Sequence, residues 1–219
     1  MGASLTSRGL FSEAEEALNR AVGLTRRAEH VNHGALAAAV GSLGNCLESR
    51  GALAEAVRAF GESAKATVLA GQAGSAQHAA ALSNAATCLK EQGKAAEAMR
   101  LHEQALAIQQ QALGGAHMTC SVTRSGIAAC KLDLGDTTGA LAMLRECKAR
   151  ALATVGRAHP LYASVAGNIA LCLLSLGDRR QAAAEAYDAA ESFALTFGPE
   201  HPQTLHARGL LQDIRSGRA

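Results

Sequence analysis

Glycine recurs at a fixed spacing of 42 residues, and this spacing constrains the fold more than any other feature of the sequence. The spacing holds without an insertion or deletion at Gly9, Gly51, Gly93, Gly135 and Gly177. Small residues keep the same register: five residues after the glycines stand Ala14, Ala56, Ala98, Ala140 and Ala182, and twelve residues after them stand Ala21, Ser63, Ala105, Cys147 and Ala189. Seven residues before the last four glycines stand Gly44, Ala86, Ala128 and Ala170. Small side chains at matched positions of a repeat predict helices in close contact.

Each repeat is predicted to be a hairpin of two helices that turns at its glycine. Glycine suits the left-handed backbone conformation that ends a helix and lets the chain reverse. The first helix of the last full repeat carries an apolar stripe with the i, i+3, i+4, i+7 spacing, at Ala166, Ile169, Ala170 and Leu173. In the linkers between repeats, glycine ends the second helix, and Pro160 and Pro202 fall in the first turn of the next helix, which tolerates proline.

Stacking of these hairpins predicts an all-α solenoid. A hairpin of about 30 residues cannot bury its own apolar stripe, but neighbouring hairpins can bury one another's. We expect a single domain over residues 1–219, with repeat units 1–33, 34–75, 76–117, 118–159 and 160–201. Only eight residues precede Gly9, so the first unit lacks most of its opening helix. Residues 203–215 are predicted to form a capping helix, because Gln212 occupies the place of a small contact residue.

Composition agrees with the all-helical prediction and disfavours several functions. Alanine, the strongest helix former, is abundant, and proline occurs only three times. With 21 basic and 19 acidic residues and no basic stripe, nucleic acid is not an expected partner. No apolar run reaches the roughly 18 residues that span a membrane, and no signal peptide is recognisable, so we expect a cytoplasmic protein without a membrane span. Gly2 and Thr6 fit the loose myristoylation pattern, but we expect no lipid anchor, since they belong to the repeat array.

The turn glycine, with small residues at fixed distances before and after it, resembles the tetratricopeptide repeat. The 42-residue period narrows this resemblance, because the unit HPLYASVAGNIALCLLSLGDRRQAAAEAYDAAESFALTFGPEHP, from His159 to Pro202, is similar to the kinesin light chain type of repeat. The resemblance implies a right-handed superhelix of about five repeats plus a capping helix. The aromatic residue expected soon after the turn is present only in the first unit, as Phe11, and is replaced by Leu53, Ala95, Thr137 and Arg179.

Four cysteines also follow the 42-residue period, each five residues before a turn glycine: Cys46, Cys88, Cys130 and Cys172. Stacked repeats separate equivalent residues by two helix layers of about 8–10 Å each. A zinc ion requires sulfurs about 2.3 Å away, and a disulfide requires Cα atoms within about 7 Å. We therefore predict core cysteines in a reducing compartment, with no metal and no cofactor. Cys147 takes a helix-contact position, and Cys120 is the cysteine expected to be reachable.

Four histidines share the same register, His33, His117, His159 and His201, with Ser75 in the remaining slot. Their position at the start of each first helix predicts a polar group that satisfies unpaired backbone N–H groups or packs the linker. No zinc-protease motif, phosphate loop, nucleophile elbow or paired C-x-x-C occurs. We therefore predict that the protein is not an enzyme.

The resemblance implies that the first helices of successive hairpins line a concave, peptide-binding groove. Carried over by position, the predicted groove residues are Ser42, Asn45, Asn84, Thr87, Glu91, Asn168 and Leu171. An asparagine amide both donates and accepts hydrogen bonds, so it can bind the backbone of an extended peptide. The alternative interpretation is that the small and polar positions are merely solvated helix faces. Acidic residues outnumber basic ones in the groove, which favours a neutral or basic extended segment, or a helix.

The predicted function is a non-enzymatic scaffold or adaptor that binds a segment of a partner protein, with kinesin-light-chain-like adaptation as one possible setting. The alternative is a structural subunit permanently embedded in a larger multiprotein assembly. Neither reading involves a cofactor, nucleic acid or a membrane span.

Overall fold

The computed structural model describes residues 2–28 and 30–218, with side chains from Glu13 onward. This part of the chain is all-helical and contains no strand, which confirms the predicted fold class. None of its helices is long and apolar enough to cross a membrane. The helices are α1 (Gly2–Arg27), α2 (His33–Ser49), α3 (Leu53–Leu69), α4 (Ala76–Glu91), α5 (Ala95–Leu113), α6 (Met118–Asp133), α7 (Thr137–Thr154), α8 (Pro160–Ser175), α9 (Arg179–Phe197) and α10 (Pro202–Ser216).

The helices form two compact units, residues 1–115 with α1–α5 and residues 116–219 with α6–α10. Within each unit, consecutive helices pack on one another. In unit 1 a core cluster includes Leu36, Val40 and Phe60, and in unit 2 another includes Leu144 and Ile169. Sequential helix packing of this kind is typical of helical-repeat proteins.

Glycine ends the first helix of four hairpins, as predicted. Gly51, Gly93, Gly135 and Gly177 have φ of +80°, +77°, +88° and +81°, in the left-handed region. At the first of these turns, the Ala52 N–H donates to the Leu47 carbonyl across the helix end. The predicted turn at Gly9 is wrong, because α1 runs without interruption from Gly2 to Arg27.

The polar residues at the start of the first helices cap them, as predicted. A side-chain atom of the cap residue accepts a backbone N–H in α4, α6, α8 and α10, where the caps are Ser75, His117, His159 and His201. His33 does not take the predicted capping role: it begins α2 itself, while Asn32 Oδ1 accepts the Ala35 N–H at 3.0 Å. Asparagine is among the best N-cap residues, so it takes this role from the histidine beside it.

The small residues of the repeat lie at helix contacts. Gly44 shows why: a Cβ atom there would meet the Phe60 ring at 2.7 Å. The corresponding positions of the later repeats are buried, at Ala86, Ala128, Ala170, Ala56, Ala98, Ala140, Ala182, Ser63, Ala105, Cys147 and Ala189. The first unit differs, since Ala14 is exposed and Ala21 is half-buried. There α1 is a single long helix rather than a hairpin, so these residues meet no partner helix of their own repeat.

The periodic cysteines are core residues in three repeats of four. Cys88, Cys130 and Cys172 are fully buried, as is Cys147, whereas Cys46 is half-buried. The expectation that Cys120 is reachable is wrong, because this residue faces inward from the first turn of α6 and is also fully buried. No disulfide links the six cysteines.

Candidate functional site

The predicted groove residues all lie on first helices of hairpins, and all are at least partly accessible. Ser42, Asn45, Glu91 and Leu171 are exposed, whereas Asn84, Thr87 and Asn168 are half-buried. They fall into two sets, one in each unit. Face 1, in unit 1, consists of residues on α2 and α4: Ser42, Asn45, Asn84, Thr87 and Glu91. Face 2, in unit 2, is built around Asn168 and Leu171 of α8.

Face 1 contains a pair of amides from neighbouring first helices. The Asn84 Nδ2 group donates to Asn45 Oδ1 at 3.3 Å, which joins α4 to α2. Pairing of this kind restrains both side chains while leaving the Asn84 carbonyl oxygen and the Asn45 amino group for another partner. The Thr87 hydroxyl donates to the Ser83 carbonyl of its own helix at 3.1 Å, so its oxygen can still accept. Face 1 thus offers both donors and acceptors to a peptide backbone.

An acidic cluster adjoins face 1 at the ends of α2 and α4. Burial and the nearby Glu91 carboxylate raise the pKa of Glu48, against the effect of a hydrogen bond from Cys88. Burial, followed by the charges of Glu48 and Glu91, raises the pKa of the Cys88 thiol to about 12. The thiol therefore remains protonated and is a poor nucleophile. The two carboxyl groups give this end of face 1 an acidic character that favours a neutral or basic partner.

Face 2 borders a cavity of about 530 Å³ formed by α8, α9 and α10. Asn168 is positioned at its edge by a hydrogen bond from Nδ2 to Ser125 Oγ at 3.3 Å. The cavity brings the two predicted residues together with others on the three helices: Ala163, Ser164, Gly167, Asn168, Leu171, Ala189, Phe193, Pro202, Gln203, His206, Ala207 and Leu210.

The cavity combines an apolar wall with a few polar groups. Phe193 of α9 packs with Ala163, Ala190 and Ala207, and its ring centroid lies 6.2 Å from that of Phe197 in a stacked arrangement. Gln203, His206 and Asn168 supply polar atoms. Cavities of this size and composition can take an apolar side chain while the polar groups fix the orientation of its backbone.

Sequence reasoning missed the part of this site that α9 and α10 contribute. One signal was present: Leu210 lies 42 residues after Asn168, so the repeat register continues into α10 and places this residue on the same side of its helix. Interpreting α10 only as a cap left Leu210, Gln203 and His206 out. Phe193 had no such signal, because it belongs to a second helix, α9, and lines the cavity together with residues of α8 and α10.

The site carries no arrangement typical of catalysis among the described residues. Face 1 contributes one carboxylate and neutral amides and hydroxyls, and face 2 contributes Asn168 and Leu171 beside a cavity that also holds Gln203 and His206. In the described part of the chain, no group of three or more His, Cys, Asp or Glu side chains is placed to hold a metal ion. The chemistry that these faces can perform is hydrogen bonding and burial of apolar side chains.

Comparison with known proteins agrees with this fold. Residues 77–153 match a family model for the Tetratricopeptide repeat. The matched segment covers most of α4 to α7, and the match identifies this region of the chain as tetratricopeptide repeats. No curated protein sequence matches it.

Three solved structures have a fold similar to that of this chain. The nearly identical TPR-like repeats of a kinesin light chain-like protein from Podosopora anserina superpose with a TM-score of 0.71 at 21% identity, over 87% of this chain and 90% of that one. A Rap protein complexed with Competence and Sporulation Factor gives 0.74 at 19% identity, over 84% of this chain and 50% of that one. YrrB, a TPR protein with an unusual peptide-binding site, gives 0.57 at 18% identity, over 92% and 88%. At these identities the comparison establishes the fold.

Proposed function

We propose that this protein is a non-enzymatic interaction scaffold that binds a segment of a partner protein through face 1 and face 2. The observation that carries the proposal is the placement of Asn45, Asn84 and Asn168 on accessible first helices, where hydrogen bonds hold their amides. Two solved structures of the same fold support it, since one is of a complex with Competence and Sporulation Factor and the other is described by its peptide-binding site.

The preferred partner segment is extended and neutral or basic. The amides of face 1 bind backbone groups of any sequence, whereas Glu48 and Glu91 disfavour an acidic segment. Face 2 adds a preference for one apolar side chain that enters the cavity beside Phe193. Because each hydrogen bond contributes a net 0.5–1.5 kcal/mol or so, a short segment is expected to bind with a Kd in the micromolar range. This mode of binding, to a short extended segment, suits a kinesin-light-chain-like adaptor role.

A displayed library of unstructured 12-residue peptides tests the proposal. Peptides selected on the wild-type protein are measured by fluorescence anisotropy on Asn84→Ala, Asn168→Ala and the double variant. Each substitution is expected to weaken binding several-fold, since it removes an amide without disturbing the helix that carries it. Gln104→Ala is the matched control, because Gln104 is an exposed amide on α5, outside both faces.

Equal affinity for the double variant and for wild type would refute the assignment of the two faces. A permanently embedded subunit predicts a different result, namely that no selected peptide shows saturable, reversible binding. The purified chain would then associate with itself or aggregate instead of remaining a peptide-binding monomer.

A further inference from the structure

A second apolar depression lies in unit 1, on the side built mainly by second helices. It has a volume of about 580 Å³ and is formed by α3, α4 and α5; we refer to it as the α3–α5 crevice. Its wall includes Val57, Gly61, Ala64, Leu82 and Leu101. None of the residues of face 1 contributes to it. The crevice is therefore a distinct surface, which the proposed function does not use.

The equivalent place in unit 2 is filled by a network of charged and polar side chains. The Lys148 Nζ atom lies 2.5 Å from a Glu185 carboxylate oxygen and 2.8 Å from one of Asp188, so it links α7 to α9. The same ammonium group lies 5.1 Å from the centre of the Tyr162 ring, and the Tyr162 hydroxyl donates to Asp188 at 2.7 Å. In unit 2, these side chains thus bridge α7, α8 and α9 across the surface that corresponds to the crevice.

Unit 1 lacks every member of that network. The residues 84 positions earlier, two repeats back, are Ala64, Leu101, Gln104 and His78 in place of Lys148, Glu185, Asp188 and Tyr162. Alanine and leucine cannot join α3 to α5 by ion pairs, so the crevice stays open. Its apolar rim faces water, with Val68 45% exposed and Leu69 66% exposed. Removing such apolar surface from water is favourable, so an apolar occupant gains free energy from binding there.

We propose that the α3–α5 crevice binds an amphipathic helix of a partner protein, with apolar side chains in the crevice and an acidic residue beside Lys65. The apolar wall cannot hydrogen-bond the backbone of an extended segment, whereas a helix satisfies its own backbone groups. Lys65 is the one lysine or arginine among the lining residues; it is exposed, and in the described part of the chain it forms no ion pair. A carboxylate on the helix complements this charge.

Gly61 allows the crevice to be closed without damage to the fold. A Cβ atom built on Gly61 meets no atom within 4 Å, so a larger side chain fits there. Gly61→Leu therefore fills the space that the helix would occupy. Gly61→Ala is the matched control, because it also removes a glycine from α3 and stabilises that helix but leaves most of the crevice open. Circular dichroism and thermal unfolding are expected to show both variants folded and at least as stable as wild type.

The probe is a displayed library of 14-residue helical peptides on an Ala/Gln background. Four positions at i, i+3, i+4 and i+7 are varied among apolar residues, and one flanking position is varied among Glu, Gln and Lys. Selection on wild type in the presence of excess Gly61→Leu protein is expected to enrich clones with Glu at the flanking position. Those clones should bind Gly61→Leu at least tenfold more weakly than wild type and bind Gly61→Ala with nearly wild-type affinity.

A charge reversal and a face 1 variant complete the test. Lys65→Glu is expected to reverse the preference, so that matched peptides with Lys bind better than those with Glu. Asn84→Ala should leave helix binding unchanged, which separates this inference from the proposed function. The inference is overturned if no clone prefers wild type over Gly61→Leu or if the selected clones carry Lys. It is also overturned if the wild-type chain self-associates through a contact that Gly61→Leu abolishes, since a second copy would then be the occupant.

Discussion

The buried histidine of unit 1 makes stability depend on pH in a way that can be measured. His102 of α5 is only 3% exposed, and its Nδ1 lies 3.2 Å from Ser83 Oγ of α4. Burial, with a smaller effect of the Lys90 charge, lowers its pKa from 6.5 to about 4. The folded protein therefore favours the neutral imidazole more strongly than the unfolded chain does, and acid is expected to destabilise unit 1.

The sign and size of this effect on the free energy of unfolding follow from the linkage between proton binding and folding. Because the folded pKa is the lower one, the stabilisation is fully present above pH 6.5 and is lost as pH falls toward 4. The shift corresponds to about 3 kcal/mol in total, at 1.36 kcal/mol per pKa unit, and about 2 kcal/mol of it is already lost at pH 5.

Urea denaturation of wild type and His102→Gln at pH 7 and pH 5 isolates this contribution from those of the other titrating groups. The free energy of unfolding should fall by about 2 kcal/mol more in wild type than in the variant, because glutamine does not titrate. An NMR titration of the imidazole gives the pKa of His102 directly. Equal pH dependence of the two proteins, or an imidazole that titrates at its ordinary pKa, would refute this reasoning.

Three further outcomes are expected. Gly44→Ala should destabilise unit 1 by about 1–2 kcal/mol in urea unfolding, because its Cβ overlaps Phe60; a stabilised variant would contradict the close contact. Lys94→Asp should stabilise α5 by about 1 kcal/mol, measured by thermal unfolding, since Lys94 gives no side-chain cap whereas Asp136, in the same register, caps α7; no gain would contradict it. Cys46 should react with iodoacetamide before the other periodic cysteines, as peptide mass spectrometry can show; uniform labelling would contradict its greater exposure.

The hairpin turns could be predicted from sequence because their cause is local. A left-handed backbone at Gly51 or Gly177 requires glycine whatever surrounds it, so the period alone locates these turns. Gly9 shows the limit of that rule. A turn forms only where two helices gain by packing together, and glycine within a long helix costs only about 1 kcal/mol, so α1 continues through it.

The candidate site could be predicted only in part. The accessible positions of Asn84 and Asn168 could be predicted because the repeat register fixes which side of a first helix they occupy. Contacts between repeats could not be predicted in this way. The Lys148–Glu185 pair, for example, joins residues 37 apart and depends on side chains that vary from one repeat to the next. Phe193 was missed for the same reason: its exposure to the cavity is set by the spacing of helices, which no single helix encodes.

The extended conformation at His117 and His159, 42 residues apart, makes the intervening block one complete repeat whose two boundaries have the same backbone class. A duplicate of residues 117–158 inserted after residue 158 would join ends of matching backbone conformation and bring its own cap and turn. The fold can thus be lengthened by duplication, and the number of first helices that it presents is set by the copy number.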